Sequence, residues 1–150
     1  MSAAAAGPST ASGRTVLAFD FGEKFVGVAV GDTETRVANP LGMIAAASSE
    51  KRLAKIDAMV REWEPGLLVV GLPLSLDGSE HDMTRRARRF ARQLTARYRL
   101  PVALADERLS STEAQSMLRD AGRCGRKHKH ESHRLAAKII LQAYLESVDA

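Results

Sequence analysis

A single cysteine, Cys124, stands in the 150 residues. This excludes an intramolecular disulfide and any zinc site made of cysteines alone, and nothing in the chain calls for an oxidising compartment. No run, the short stretch Leu67 to Val70 included, approaches the roughly 20 apolar residues needed to cross a bilayer. Self-similarity with the period of a solenoid or propeller is lacking as well. The first 13 residues have neither the basic start nor the apolar stretch of a signal peptide. They read as a flexible leader, with one domain over residues 14–150 in a reducing cytoplasm. Acidic residues are missing from Met83 to Arg99, where Arg85, Arg86, Arg88, Arg89, Arg92, Arg97 and Arg99 stand together.

What is present is ordinary for a folded domain: 45% hydrophobic and 27% charged residues, enough to bury one core. The net charge of +4 is concentrated in the arginine run and in a second cluster, Arg119, Arg123, Arg126, Lys127 and Lys129 with His128 and His130. That cluster reads as a basic loop. Two such patches point to a polyanion, because phosphate contacts release counterions and supply much of nonspecific nucleic-acid affinity.

The apolar pattern alternates between two periods. Runs at Thr15 to Phe19 and Phe25 to Val30 predict a hairpin, and a third strand is expected at Met43 to Ala46 after a turn at Asn39-Pro40. Leu53, Ile56, Met59, Val60 and Trp63 recur at helical spacing within Glu50 to Glu64. Leu67 to Val70, closed by Gly71, predicts a central strand covered on both faces. After a turn at Leu76 to Ser79 comes a helix with the stripe Ala87, Phe90, Ala91, Leu94 and Tyr98, then a strand at Pro101 to Ala105 and helices at Ser110 to Leu118 and His133 to Leu145. His81 and Asp82 find no partner at this level. The expectation is an α/β fold with one mixed sheet and helices on both faces. Strands running into Gly71 and Asp106 end on the side where such sheets carry their sites.

Asp20 closes the first strand beside Gly22, and Glu107 follows the late strand, so folding could bring both to one sheet end. Paired carboxylates there suit phosphodiester hydrolysis, in which two divalent cations about 3.5–4 Å apart activate water and stabilise the attacking and leaving oxygens. Taken singly, Asp20 also fits a turn-forming residue and Glu107 a surface cluster neutralised by Arg108.

Leu17-Ala18-Phe19-Asp20-Phe21-Gly22 with Lys24, Gly27 to Gly31, Val69 to Leu74, Asp77-Gly78-Ser79-Glu80, Asp106 to Ser111 and Ala136 to Leu141 together resemble the YqgF family, also called RuvX or pre-16S rRNA nucleases. The match runs in order over about Thr15 to Leu145. The resemblance implies a ribonuclease H-like, five-stranded mixed sheet of the Holliday junction resolvase type. It also implies a role in maturing the 5′ end of 16S rRNA, with cleavage of DNA junctions as the older proposal. By position, Asp20 becomes the first metal ligand and Glu107 the second acid. The family's third acid, just before the final Ala-Ala and Ile-Ile-Leu stretch, falls on His133.

That departure bears on chemistry. A neutral imidazole lowers the negative charge of the site and suits Mn²⁺ better than Mg²⁺; the alternative is a ligand lost with catalysis. The catalytic and metal set is therefore Asp20, Glu107 and His133, with Mg²⁺ or Mn²⁺. Nucleic-acid contacts are expected from Lys24, Arg85, Arg88, Arg89, Arg92, Arg108, Arg126, Lys127 and Lys129. Ser110, Ser111 and Glu113 read as a helix start. The leading reading is an endonuclease on structured RNA in a ribosomal precursor particle, as monomer or homodimer. A resolvase on branched DNA and a non-catalytic RNA-binding assembly factor are the alternatives.

Overall fold

The computed structural model describes residues 14–22, 24–45, 48–74, 77–106 and 129–147, with the side chains of the last segment from Leu135 onward. Strands β1 (Thr15–Phe21), β2 (Phe25–Asp32) and β3 (Val37–Ala45) are followed by helix α1 (Ser49–Trp63), β4 (Leu67–Leu72), α2 (Asp82–Tyr98), β5 (Val102–Asp106) and α3 (Lys129–Ser147). They build one five-stranded sheet in the order β3-β2-β1-β4-β5. The meander β1-β2-β3 is antiparallel, while β4 joins β1, and β5 joins β4, in parallel.

Alternation along the strands divides the core into two layers. Leu17, Phe19 and Phe21 of β1 pack with Ile56 of α1 and with Ala87, Phe90 and Leu94 of α2. On the other face, Val16 and Ala18 of β1, Ala29 of β2 and Val69 of β4 pack with Ala137, Ile140, Leu141 and Leu145 of α3. Burial on both faces is why β1 and β4 read as nearly unbroken apolar runs. The two helices are tied as well: Arg97, in the last turn of α2, donates to both carboxylate oxygens of Asp57 in the middle of α1 at 2.7 and 2.8 Å, and the Tyr98 hydroxyl donates at 2.5 Å.

Three boundaries differ from the sequence reading. The third strand begins at Val37 rather than Met43, and the turn lies at 33–36 rather than Asn39-Pro40. Asp32 sets that turn, its Oδ1 accepting from Glu34 N at 2.7 Å and Thr35 N at 3.3 Å, with Arg36 in the left-handed region at φ 58°. Pro40 is tolerated inside the strand because β3 is an edge strand and its register with β2 slips between Val28 and Ala29. Second, α3 starts at Lys129, so Lys129 and His130 belong to the helix and not to a loop. Third, His81 is the N-cap of α2: its backbone N–H donates to Thr84 Oγ1 at 3.1 Å, and that hydroxyl in turn donates to the carbonyl of Pro73. The expected helix Ser110 to Leu118 lies outside the described residues.

Candidate active site at the carboxyl ends of the parallel strands

Phe19 pairs with Val70 and Val70 with Leu104, and the last pair is Leu72 with Asp106. The three parallel strands therefore finish at one edge of the sheet. Asp20 sits there, one residue from the end of β1, and is 7% exposed. Its cross-strand partner in β2 is Gly27, so no side chain from that strand fills the space beside the carboxylate. By the alternation that points Phe19 and Phe21 toward α1 and α2, Asp20 stands on the face of Val16 and Ala18, which is the face covered by α3.

The direction of α3 follows from its contacts. Leu141 and Leu145 pack at Gly31, where a Cβ would come within 2.9 and 3.1 Å of their methyl groups, and Gly31 pairs with Val16 near the start of β1. Gln142 holds the same end, its Oε1 accepting from Ala38 N at 3.0 Å and its Nε2 donating to Arg36 O at 2.8 Å. The helix thus runs antiparallel to β1, with its earlier residues toward Asp20. From Leu141 back to position 133 is about 12 Å along a helix axis, and from Val16 to Asp20 is about 13 Å along a strand. The two lengths are similar, so the part of α3 before Leu141 is long enough to span the distance from Val16 to Asp20.

His133 and Lys129 belong to α3 by their backbone, but their side chains lie outside the described residues, as do Glu107, Arg108, Arg126 and Lys127 altogether. Among the described residues no three histidine, cysteine or acidic side chains gather as a metal-binding group. A buried carboxylate beside a glycine is a donor fit for a hard divalent cation. The remaining donors expected from the sequence are Glu107 and His133.

The cations fall into two settings. Lys24 is exposed in the β1–β2 turn, at Asp20's end of the sheet; Gly22 N closes that turn on Phe25 O at 2.9 Å. Arg85, Arg88, Arg89 and Arg92 all belong to α2, on the face of the sheet opposite Asp20. Arg85, Arg89 and Arg92 are exposed, whereas Arg88 is engaged by Glu80, with Nε and Nη2 within 2.5–3.2 Å of its carboxylate. Hydrogen bonding to Arg88 holds the Glu80 carboxyl below its usual range. Sequence reasoning passed over Arg52, a residue of α1 that is 9% exposed and lies over the rings of Phe21 and Phe90. Its signal was its spacing: position 52 is one turn before Ile56 and so shares the inward stripe of the helix.

Comparison with solved structures matches the architecture. The chain superposes on Thermus thermophilus RuvC, solved in complex with a Holliday junction substrate, with a TM-score of 0.54 and 15% identity over 89% of this chain and 94% of that one. A second RuvC structure from the same organism gives 0.50 and 14% over 89% and 97%. The sheet order and these likenesses define a ribonuclease H-like fold of the resolvase type. Residues 14–147 match the model of RuvX, described as Holliday junction resolvase. Among curated relatives, one from Methylobacillus flagellatus is 48% identical over 141 residues, covering 94% of this chain and 97% of its own. One from Nitrosomonas europaea is 47% identical over 138 residues, covering 92% and 93%. Both are named "Putative pre-16S rRNA nuclease". The chain belongs to the RuvX family.

Proposed function

We propose that this chain is a metal-dependent endonuclease, a hydrolase of phosphodiester bonds in structured RNA that trims the 5′ end of pre-16S rRNA in the cytoplasm. One observation carries the reading: the buried acid Asp20 stands where the three parallel strands end, on the side toward which α3 runs. Two relations of sequence position support the rest of the ligand set. Ala103 and Ala105 of β5 pack on the α3 layer, and Glu107 has their parity. His133 lies one turn before Ala137, itself buried in that layer.

Asp20, Glu107 and His133 would together hold one or two divalent cations, which supply a water acidic enough to react near neutral pH and a clamp on the developing phosphoryl charge. The protein's own contributions are positional. Strand pairing on both sides fixes the Asp20 carboxylate in a water-poor setting, where its field is least screened. Lys24, exposed at the same end, meets the strand's phosphates and offsets their charge.

A second reading, cleavage of four-way DNA junctions, is favoured by the likeness to RuvC. One experiment addresses both. Purified protein is incubated with a pre-16S fragment or a four-way junction, with Mn²⁺, Mg²⁺ or chelator. Cleavage of the RNA with Mn²⁺, abolished by chelator and reduced by about 10²-fold or more in Asp20→Asn, is expected. Preference for the junction would transfer the activity to DNA. Cutting unchanged by Asp20→Asn would overturn the site, and RNA binding without cleavage under any metal would leave an assembly factor.

A further inference from the structure

Between α1 and α2, on the sheet face opposite Asp20, the side chains of Arg52, Arg86 and Arg89 line one recess of about 140 Å³ floored by Phe21 and Phe90. We propose that this recess binds a single phosphate group, independently of the acidic site.

The argument begins with Arg52. A guanidinium that is nine-tenths buried is costly unless its charge and its donors are met. Its Nη2 donates to Ser49 Oγ at 3.3 Å, and its Cζ lies 5.1 and 5.4 Å from the ring centres of Phe21 and Phe90, which stabilise the cation from below. Its buried Nε donates to nothing among the described residues. Burial, and then the charge of Arg86, pull the Arg52 guanidinium below its ordinary pKa. The arrangement therefore concentrates positive charge where the protein gains least by doing so.

The neighbours do not relieve it. Among the described residues Arg86 has only a long contact to the exposed Asp82, 3.9 Å, and a contact to the sulfur of Met83 at 3.6 Å. Arg89 makes no ion pair among the described residues, in contrast to Arg88 one position earlier, which Glu80 engages, and Arg97, which Asp57 engages. Glu80 and Asp57 meet Arg88 and Arg97, but the described lining of this recess holds no acid; Ser49 and Gln93 are its uncharged polar groups. An oxyanion would meet the open donors with charge-assisted bonds and cancel the mutual repulsion of the three cations.

Size selects the class of anion. About 140 Å³ is room for several waters, and so for one small tetrahedral oxyanion held by the three guanidiniums. The phosphate has two possible sources, a free anion or the phosphate of a nucleic-acid strand crossing α2.

Titration calorimetry with inorganic phosphate, against chloride at matched ionic strength, tests the site in the full chain. Wild type should bind one phosphate. Arg52→Met should abolish binding, and Arg89→Gln should weaken it about tenfold, the worth of one charge-assisted contact. Because Arg52 is buried, Arg89→Gln, an exposed side chain without an ion-pair partner, is the deciding variant. No heat beyond the chloride control, or an Arg89→Gln affinity equal to wild type, overturns the proposal. Asp20→Asn should bind phosphate as wild type does, whatever its effect on cleavage; loss of phosphate binding there would refute the independence of the two sites. Repeating the titration with a saturating 5′-phosphorylated RNA oligonucleotide identifies the source. Competition supports a strand phosphate, and unimpeded binding supports a free anion.

Discussion

Asp20 and Phe21 are neighbours in β1 and serve opposite sides of the sheet. Phe21 packs on Phe90 of α2 with ring centres 4.9 Å apart, while Asp20 stands on the α3 side, opposite Gly27. A step of one residue thus separates an acidic locus from an arginine-rich one, with a buried sheet between them. The cations of α2 do not surround the acid. They form a second surface behind it, and a nucleic acid that meets both must pass around the sheet's carboxyl edge.

Replacing His133 by Asp should restore the charge of a three-acid site. Cleavage supported by Mg²⁺ relative to Mn²⁺ is expected to rise about tenfold or more, because adding a carboxylate favours the harder ion. The check is the ratio of initial rates in the two metals. An unchanged ratio would remove position 133 from the ligand set.

Glu80 holds Arg88 in a forked ion pair that is 37–40% exposed on both sides. Glu80→Gln should free that guanidinium and remove a repulsive charge, so that structured RNA binds several-fold tighter at low salt. The slope of log affinity against log salt should steepen by about 1. Binding curves at three or four salt concentrations measure this; an unaltered slope would mean that α2 does not meet phosphates at Arg88.

Gly31→Ala should loosen the docking of α3. The new Cβ would lie 2.9 Å from Leu141 Cδ2 and 2.9 Å from the carbonyl oxygen of Val37, and a backbone oxygen in a strand cannot swing aside. A loss of about 1–3 kcal/mol is expected from overpacking, read by thermal unfolding. A change near zero would show that β3 and α3 give way together.

Hydrogen bonding from Arg97, reinforced by Tyr98, lowers the Asp57 carboxyl from its ordinary value of 3.8 to about 2. A carboxylate whose pKa is depressed by folding stabilises the protein above its unfolded pKa, and that contribution is lost as pH falls through the folded one. Asp57→Asn should therefore cost about 1 kcal/mol at neutral pH, a figure kept small by solvent screening of the pair. Its stability should approach wild type between pH 4 and pH 2. Denaturant melts of both proteins across that range provide the measurement, and a constant difference would contradict the assignment.

Local pattern carried most of the fold. The apolar runs of β1 and β4, the stripe of Ala87, Phe90, Ala91 and Leu94, and Pro65-Gly66 after α1 each announce an element through near-neighbour chemistry. The sequence reading placed the third strand too late because Asn39-Pro40 is a common turn signal, and only the edge position of β3 lets a proline stand within it. His81 found its role only when the fold brought Pro73 to Thr84, eleven residues away. At the candidate site Asp20 was legible from a strand end followed by glycine. The division of its surroundings was not, since charge patterning along a helix says nothing about which side of a sheet that helix will cover.

The amino-acid order by itself determined where strands and helices form and which residue types are available for chemistry, because those follow from hydrophobic periodicity and backbone preference over a few residues. Only the tertiary structure decided that Arg52 is buried, that three guanidiniums share one recess, and that α3 runs back toward Asp20. Each of these depends on contacts between segments distant in the chain, where the packing of whole faces, rather than any local preference, sets the geometry.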